Sequence, residues 1–151
     1  MTTEAPIRVR VTRRYSASAE RVFDAWLDPT LIGRFMFGPH LRDETVLHLN
    51  VDAHVGGTFS FLVRRQQMTI DHVGRYLELV RPTRLAFSWS AVEVGSASAG
   101  ADSRVTIDIV PQRDGCELTL THEIPPAWAD YAERTKAGWT TMTDALVDAL
   151  A

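Results

Sequence analysis

The spacing of hydrophobic and polar positions changes along the chain, beginning with a strand pattern that gives way to a helix pattern. Residues 7–15 (IRVRVTRRY) alternate between apolar and charged side chains over most of their length, which predicts a half-buried strand. In the following segment (SASAERVFDAWLD), Val22, Phe23 and Trp26 fall on one helical face, and Ser18 is placed to act as the N-cap. The beginning of the chain is therefore predicted to be a strand followed by a helix.

A second short helix is predicted directly after the first. Asp28 ends the first helix because a residue that precedes proline avoids the helical region. Pro29 can then occupy the first position of a new helix, whose apolar residues are Leu31, Ile32 and Phe35. The sequence FGPH after it predicts a loop.

From residue 43 onward the apolar positions recur at every second residue, which predicts a series of strands. Turn-forming sequences such as AHVGG, RPT and QRDG separate them. The small, polar segment GSASAGADS predicts an exposed hairpin tip at residues 95–103. The six strands predicted in this part of the chain are residues 44–52, 58–66, 68–80, 84–92, 104–110 and 116–123.

The chain closes with a long amphipathic segment. Pro125 and Pro126 stop the last strand and start a helix, in which apolar side chains recur at steps of three and four as far as Ala149. About 24 residues would form a helix of ~36 Å, which we expect Gly138 to kink or divide. The order β-α-α-β6-α predicts one α+β domain over residues 1–151, with a curved antiparallel sheet of about seven strands wrapped around the terminal helix.

Segments from nearly the whole chain resemble the START-like superfamily, also called SRPBCC, which has the helix-grip fold of the birch-pollen allergen. The segments are SASAERVFDAWLDPTLIGRF, VGGTFSF, HVGRYLELVRPTRLAFSW, GCELTLTHE and GWTTMTDALVDAL. Within this superfamily, the chain most resembles the branch named for homology to the activator of the heat-shock-protein-90 ATPase. The resemblance implies the helix-grip fold and, as in many members, a cavity between sheet and helix, but it does not specify one activity.

Composition and charge argue against several classes of partner. The net charge is -3, and the pairs Arg13–Arg14 and Arg64–Arg65 indicate solvated strand residues, so no nucleic-acid partner is expected. The single cysteine, Cys116, cannot form an intramolecular disulfide, which favours a reducing compartment. We find neither a secretory signal nor an apolar run of about 20 residues, and we expect a cytoplasmic protein without membrane contact. A homodimer would be an ordinary arrangement, although the sequence specifies no interface.

The leading functional hypothesis is a non-enzymatic module that binds a small apolar or aromatic ligand between the sheet and the terminal helix. Such sites are mostly apolar with a few polar groups, and we predict a residual cavity beside His72 and His122. For most of the inward apolar residues an ordinary core role is the alternative. The candidate ligand-binding residues are Phe35, Phe37, Phe59, Phe61, His72, Tyr76, Phe87, Trp89, His122, Trp128, Trp139 and Met142.

Two other functions stay open at this point. The family resemblance suggests a chaperone-associated protein, although the length of one domain weighs against it because the named activator also carries another domain. The superfamily also suggests an enzyme, such as a cyclase, hydrolase or dehydratase, in which His72 and His122 would act as acid and base. No cofactor is expected, and no metal either, because His48, Asp52 and His54 have even spacing without a second cluster to complete a site.

Overall fold

The computed structural model describes residues 5–95 and 102–151, and within them the elements follow the predicted order. The predicted hairpin tip at residues 95–103 lies largely outside the described residues. The elements are β1 (Ile7–Tyr15), α1 (Ala19–Ala25), α2 (Pro29–Phe35), β2 (Thr45–Val51), β3 (Thr58–Arg65), β4 (Met68–Val80), β5 (Arg84–Glu93), β6 (Ser103–Gln112), β7 (Gly115–Ile124), a 3-10 helix (Pro126–Tyr131) and α3 (Ala132–Ala149).

The seven strands of the described chain form one curved antiparallel sheet in the order β1-β7-β6-β5-β4-β3-β2. Strands that are consecutive in sequence pair with one another from β2 to β7, whereas β1 pairs with β7 at the other edge. The terminal helix α3 packs against β1 and α2 and covers the apolar face of the sheet. This arrangement confirms the predicted α+β helix-grip fold.

Side-chain caps fix the boundaries of the two short helices where the sequence predicts them. The Ser18 hydroxyl accepts a hydrogen bond from the backbone N–H of Arg21 (3.2 Å) at the start of α1. The Asp28 carboxylate accepts one from the backbone N–H of Thr30 (2.9 Å), directly before Pro29 opens α2. Each cap satisfies an N–H that has no partner within its helix.

The terminal helix is interrupted at a different residue from the one predicted. The backbone leaves the helical region at Trp128 (φ -99°, ψ 19°), inside the 3-10 helix that separates Pro125 from α3. Gly138 lies within α3, so the prediction that it kinks or divides the helix is wrong. The helical segment that follows Pro125 begins as a 3-10 helix, and the break at Trp128 lies within it. A Cβ atom at Gly138 would meet no atom within 4 Å, so this glycine leaves open space beside the helix.

The centre of the sheet is filled by aromatic rings. Gly74 on β4 pairs with Phe59 on β3, and a Cβ at Gly74 would overlap both the Phe59 ring and the carbonyl oxygen of Ser88. The Phe59 ring stacks on Phe61 (4.8 Å between centroids) and meets Phe87 edge to face (5.5 Å). The absence of a side chain at Gly74 therefore allows this ring cluster to lie directly on the sheet.

Among the helices of residues 5–95 and 102–151, none has both the length and the apolar character that crossing a membrane requires.

Candidate ligand-binding cavity

A cavity of about 500 Å³ lies between α3 and the sheet, beside the aromatic core. Its volume falls within the range of roughly 300–1,000 Å³ that is usual for small-molecule sites. Half of the twelve residues predicted from the sequence line this cavity, namely His72, Trp89, His122, Trp128, Trp139 and Met142.

The other six predicted residues lie in the packed core and do not line the cavity. Each is no more than 4% exposed, and they are Phe35, Phe37, Phe59, Phe61, Tyr76 and Phe87. Four of these side chains, together with Trp26 and Met36, surround a void of only about 10 Å³. A void of that size holds at most one water molecule. The structure therefore places these six residues in the packed core beside the cavity.

Aromatic rings form one wall of the cavity. The Trp89 ring lies 5.3 Å from that of Trp139 and 5.5 Å from that of His72, between centroids. The imidazole of His72 also packs against Phe37, whose ring centroid is 4.8 Å from it. A third indole, Trp128, lines the cavity from the 3-10 helix and is only half-buried. Flat aromatic ligands are favoured by such a wall because rings pack well in offset or edge-on contacts.

Three consecutive hydrogen bonds fix the protonation of His122. The indole N–H of Trp139 donates to Nδ1 of His122 (3.0 Å), so Nδ1 carries no proton. The neutral ring must then be protonated on Nε2, which lies 2.7 Å from the Ser103 hydroxyl oxygen. The Ser103 hydroxyl in turn donates to the backbone carbonyl of Trp89 (2.8 Å). Burial lowers the pKa of His122 from 6.5 to about 4, in agreement with a neutral ring.

His72 is the opposite tautomer. Its Nδ1 lies 3.1 Å from the backbone carbonyl of Phe61, which can only accept, so Nδ1 carries the proton. Burial lowers the pKa of His72 to about 4, with the positive charges of Arg65 and Arg42 acting in the same direction. Nε2 is then a lone-pair acceptor, and it has no partner among the residues that the structure describes. Of the two imidazoles, His72 is the one with an acceptor available to a ligand.

The hydrogen bonds of His122 do not suit acid–base catalysis. Both of its ring nitrogens have protein partners, and the Ser103 proton is directed towards a carbonyl oxygen and away from the imidazole. Ser103 and His122 are therefore not arranged as a nucleophile and its base. Proton transfer through His122 would require this chain of hydrogen bonds to break.

The charged part of the cavity lining is not among the residues predicted from the sequence. Arg42, Arg65 and Arg134 all contribute to it, whereas the Arg64–Arg65 pair predicts solvated strand residues. The signal that could have indicated Arg65 is Glu44, because an acidic side chain that is buried needs a cationic partner. The remaining lining residues that were not predicted are small or of moderate size: Ser90, Ala91, Ser103, Ile124, Thr135 and Gly138.

The residues considered as metal ligands lie apart from the cavity lining. His48 bonds through Nε2 to the Ser60 hydroxyl (2.8 Å), which donates to Asp71 (2.7 Å), and His54 pairs with Asp52 (2.8 Å). In the described part of the chain, no group of three or more His, Cys, Asp or Glu side chains is placed to hold a metal ion.

Comparison with known families gives a match over most of the chain. The model of the family described as Activator of Hsp90 ATPase homolog 1-like protein matches residues 16–151. No match was found among curated proteins.

Solved structures of the same fold cover nearly the whole chain. Protein CV1439 from Chromobacterium violaceum is 27% identical, with a TM-score of 0.78 over 95% of this chain and 96% of that one. A protein from Rhodobacter sphaeroides is 21% identical, with a TM-score of 0.80 over 99% of this chain and 95% of that one. DynU16, described as a protein in the dynemicin biosynthetic locus, is 22% identical, with a TM-score of 0.70 over 95% of this chain and 46% of that one.

Proposed function

The chain belongs to the family of Activator of Hsp90 ATPase homolog 1-like proteins, and on that premise we propose that it binds a small apolar or aromatic molecule. The binding site is the cavity of about 500 Å³ between the sheet and α3, and this cavity is the observation that carries the proposal. Three indoles line it and offer a ligand aromatic faces on which to pack. DynU16, a protein in the dynemicin biosynthetic locus, shares this fold, so the fold also occurs in a biosynthetic setting.

Binding is favoured over catalysis because the Ser103 hydroxyl and both ring nitrogens of His122 are already paired within the protein. The Ser103–His122–Trp139 chain of hydrogen bonds leaves no free nucleophile–base pair, and both histidines are neutral near pH 7. The chemistry that these groups offer is hydrogen bonding and packing, through the acceptor Nε2 of His72 and the indole faces.

A cavity-filling variant gives the sharpest test of this proposal. The probe is the neutral N-phenyl-1-naphthylamine, whose fluorescence rises in apolar surroundings, and the variant is Gly138→Leu. The added side chain starts where a Cβ meets no atom within 4 Å, next to the cavity, so we expect it to occupy ligand space without disturbing the core. Leucine also favours a helix by nearly 1 kcal/mol over glycine. We expect the affinity for the probe to fall about tenfold or more while the melting temperature does not fall.

Ala137→Leu is the matched control, because Ala137 is the exposed neighbour on the same helix and does not line the cavity. It should bind the probe as the parent protein does. Equal binding by all three proteins, or no binding by the parent protein, would contradict the proposal. Native mass spectrometry of the freshly purified protein, followed by denaturing extraction, would then identify a natural ligand that stays bound.

A second candidate function is the binding of a chaperone, and the family description is the observation that favours it. This candidate requires that the chain raise the ATPase rate of an Hsp90-type partner or form a complex with it. Mixing the two purified proteins and measuring ATP turnover distinguishes the two functions. Stimulation that Gly138→Leu leaves unchanged would support a protein-binding role that does not use the cavity.

A further inference from the structure

The cavity lining is positively charged, in contrast to the chain as a whole. Three arginines contribute to it, whereas no aspartate or glutamate does, although the net charge of the protein is -3. Two carboxylates accept hydrogen bonds from the lining side chains of the described residues. One is that of Glu44, and the other is that of the exposed Asp102, which accepts from Ser90 (3.2 Å). An excess of positive charge in a partly enclosed space attracts an anion more strongly than the same charges in bulk water do.

A single buried carboxylate holds two of these arginines. The Glu44 side chain is fully buried and accepts from Nε of Arg65 (2.7 Å), from Arg42 (3.1 Å) and from the backbone N–H of Gly38 (2.8 Å). Arg42 also donates to the carbonyl of Met36 (2.8 Å). One negative charge therefore balances only one of the two guanidinium groups. Each guanidinium is held by one edge and keeps further N–H donors without an acceptor among the described residues.

The third arginine approaches the cavity from the helix. The Arg134 guanidinium lies 5.5 Å from the centroid of the Tyr131 ring, and it has no carboxylate partner in residues 5–95 and 102–151. Arg42 and Arg65 reach the cavity from the sheet side, Arg42 just before β2 and Arg65 at the end of β3. The three arginines therefore lie on both the helix side and the sheet side of the cavity. Neither histidine of the cavity can offset the positive charge of the arginines, because an imidazole is either neutral or positively charged.

We propose that the ligand of this cavity is an amphipathic organic anion, with an aromatic or alicyclic body packed on the indoles and a carboxylate or similar acid group bound by the arginines. The guanidinium group forms its strongest hydrogen bonds with planar anions, often through two N–H groups at once. The indole wall of Trp89, Trp128 and Trp139 accepts the body of the same molecule. This inference rests on the proposed binding function and specifies the class of its ligand.

Two probes with the same ring skeleton separate the inference from the function on which it rests. N-phenyl-1-naphthylamine is neutral, and 1-anilinonaphthalene-8-sulfonate adds one sulfonate to it. We expect the anionic probe to bind about tenfold more tightly at low salt, and its affinity to fall with added sodium chloride while that of the neutral probe does not. Equal affinities of the two probes would overturn the anion inference and leave the binding function standing. Binding of neither probe would overturn both.

Arg134→Gln gives the decisive variant, because Arg134 has no ion pair to lose among the described residues and the protein should fold normally. We expect it to weaken the anionic probe about tenfold and the neutral probe less than twofold. The control is Arg10→Gln, which removes the same charge from an exposed position on β1 and should leave both affinities unchanged. If Arg10→Gln and Arg134→Gln weaken the anionic probe equally, the effect comes from net charge and the proposed anion site is wrong.

Discussion

The two ends of the space between sheet and helix are built from similar residues and have opposite character. At the packed end, around Phe59, Phe61 and Phe87, six side chains leave a void of about 10 Å³. At the open end, around Trp89, Trp139 and Gly138, the cavity has about 500 Å³. Both ends contain several aromatic side chains, so aromatic character alone does not make a binding site. The open end differs because a glycine on the helix leaves room and polar groups border the space.

Removal of a ring from the packed end should have the largest effect on stability. Phe61→Ala removes a side chain that is 3% exposed and contacts Phe37 and Phe59, and we expect it to lower the free energy of unfolding by about 3–5 kcal/mol. Trp128→Ala at the open end should cost less than half of that, because this indole is half-buried and faces the cavity. Urea denaturation of both variants measures the difference. Equal losses would show that the two ends are packed alike.

Acid should destabilise the protein through the two histidines of the open end. Each has a folded-state pKa of about 4 against an ordinary value of 6.5, so the unfolded chain binds more protons between these pH values. The stabilisation is therefore complete above pH 6.5 and is lost as the pH falls towards 4, by about 3 kcal/mol for each histidine.

The dependence of the free energy of unfolding on pH measures this effect. His72→Gln and His122→Gln should each flatten the curve between pH 4 and 6.5, while the contribution of the carboxylates stays the same in all three proteins. A variant curve that is parallel to that of the parent protein would mean that the replaced histidine is not held in its neutral form.

The hydrogen bond from Trp139 to His122 should have an intermediate effect. Trp139→Phe removes the indole N–H and leaves Nδ1 of the buried imidazole without a donor, which costs about 1–3 kcal/mol. Trp26→Phe is the matched control, since Nε1 of the buried Trp26 has no hydrogen-bond partner among the described residues. The same loss of volume occurs in both variants, so the difference in their free energies of unfolding reflects the hydrogen bond lost at Trp139 and the unpaired donor removed at Trp26. Equal stability of the two variants would argue against the proton arrangement described for His122.

The smallest expected effect is a gain in stability. Gly138→Ala places a methyl group in open space within α3 and should raise the free energy of unfolding by up to about 1 kcal/mol, through helix propensity. Ala137→Gly at the neighbouring exposed position should lower it by a similar amount. Thermal unfolding of both variants tests this pair. A loss of stability in Gly138→Ala would contradict the open space that the structure shows beside Gly138.

Much of the fold could be predicted because local patterns determine it. The period of two from residue 43, the N-cap at Ser18 and the helix start at Pro29 each reflect short-range physics, and the structure confirms the elements that they predict. The break at Trp128 could not be predicted with the same certainty, because glycine and a proline pair both interrupt helices and only packing decides between them.

The cavity could be only partly predicted because strand parity does not distinguish lining from core. Phe87 and Trp89 share one face of β5, yet Phe87 is packed in the core and Trp89 borders the cavity. The position of α3 over the sheet decides this, and no periodicity encodes it. Arg65 lies at the end of β3, where alternation no longer indicates whether a side chain turns inward, and only its bond to the buried Glu44 explains its place.

The indole N–H signals of the four tryptophans test the central claim most directly. Trp89, Trp128 and Trp139 line the open end, whereas Trp26 borders the packed end, so each end has its own reporter in one two-dimensional NMR spectrum. Titration with N-phenyl-1-naphthylamine should shift the signals of the three cavity indoles progressively and saturably, with the smallest shift at Trp26. Shifts that are largest at Trp26, or absent from all four indoles at saturating probe, would contradict the assignment of the open end as the ligand site.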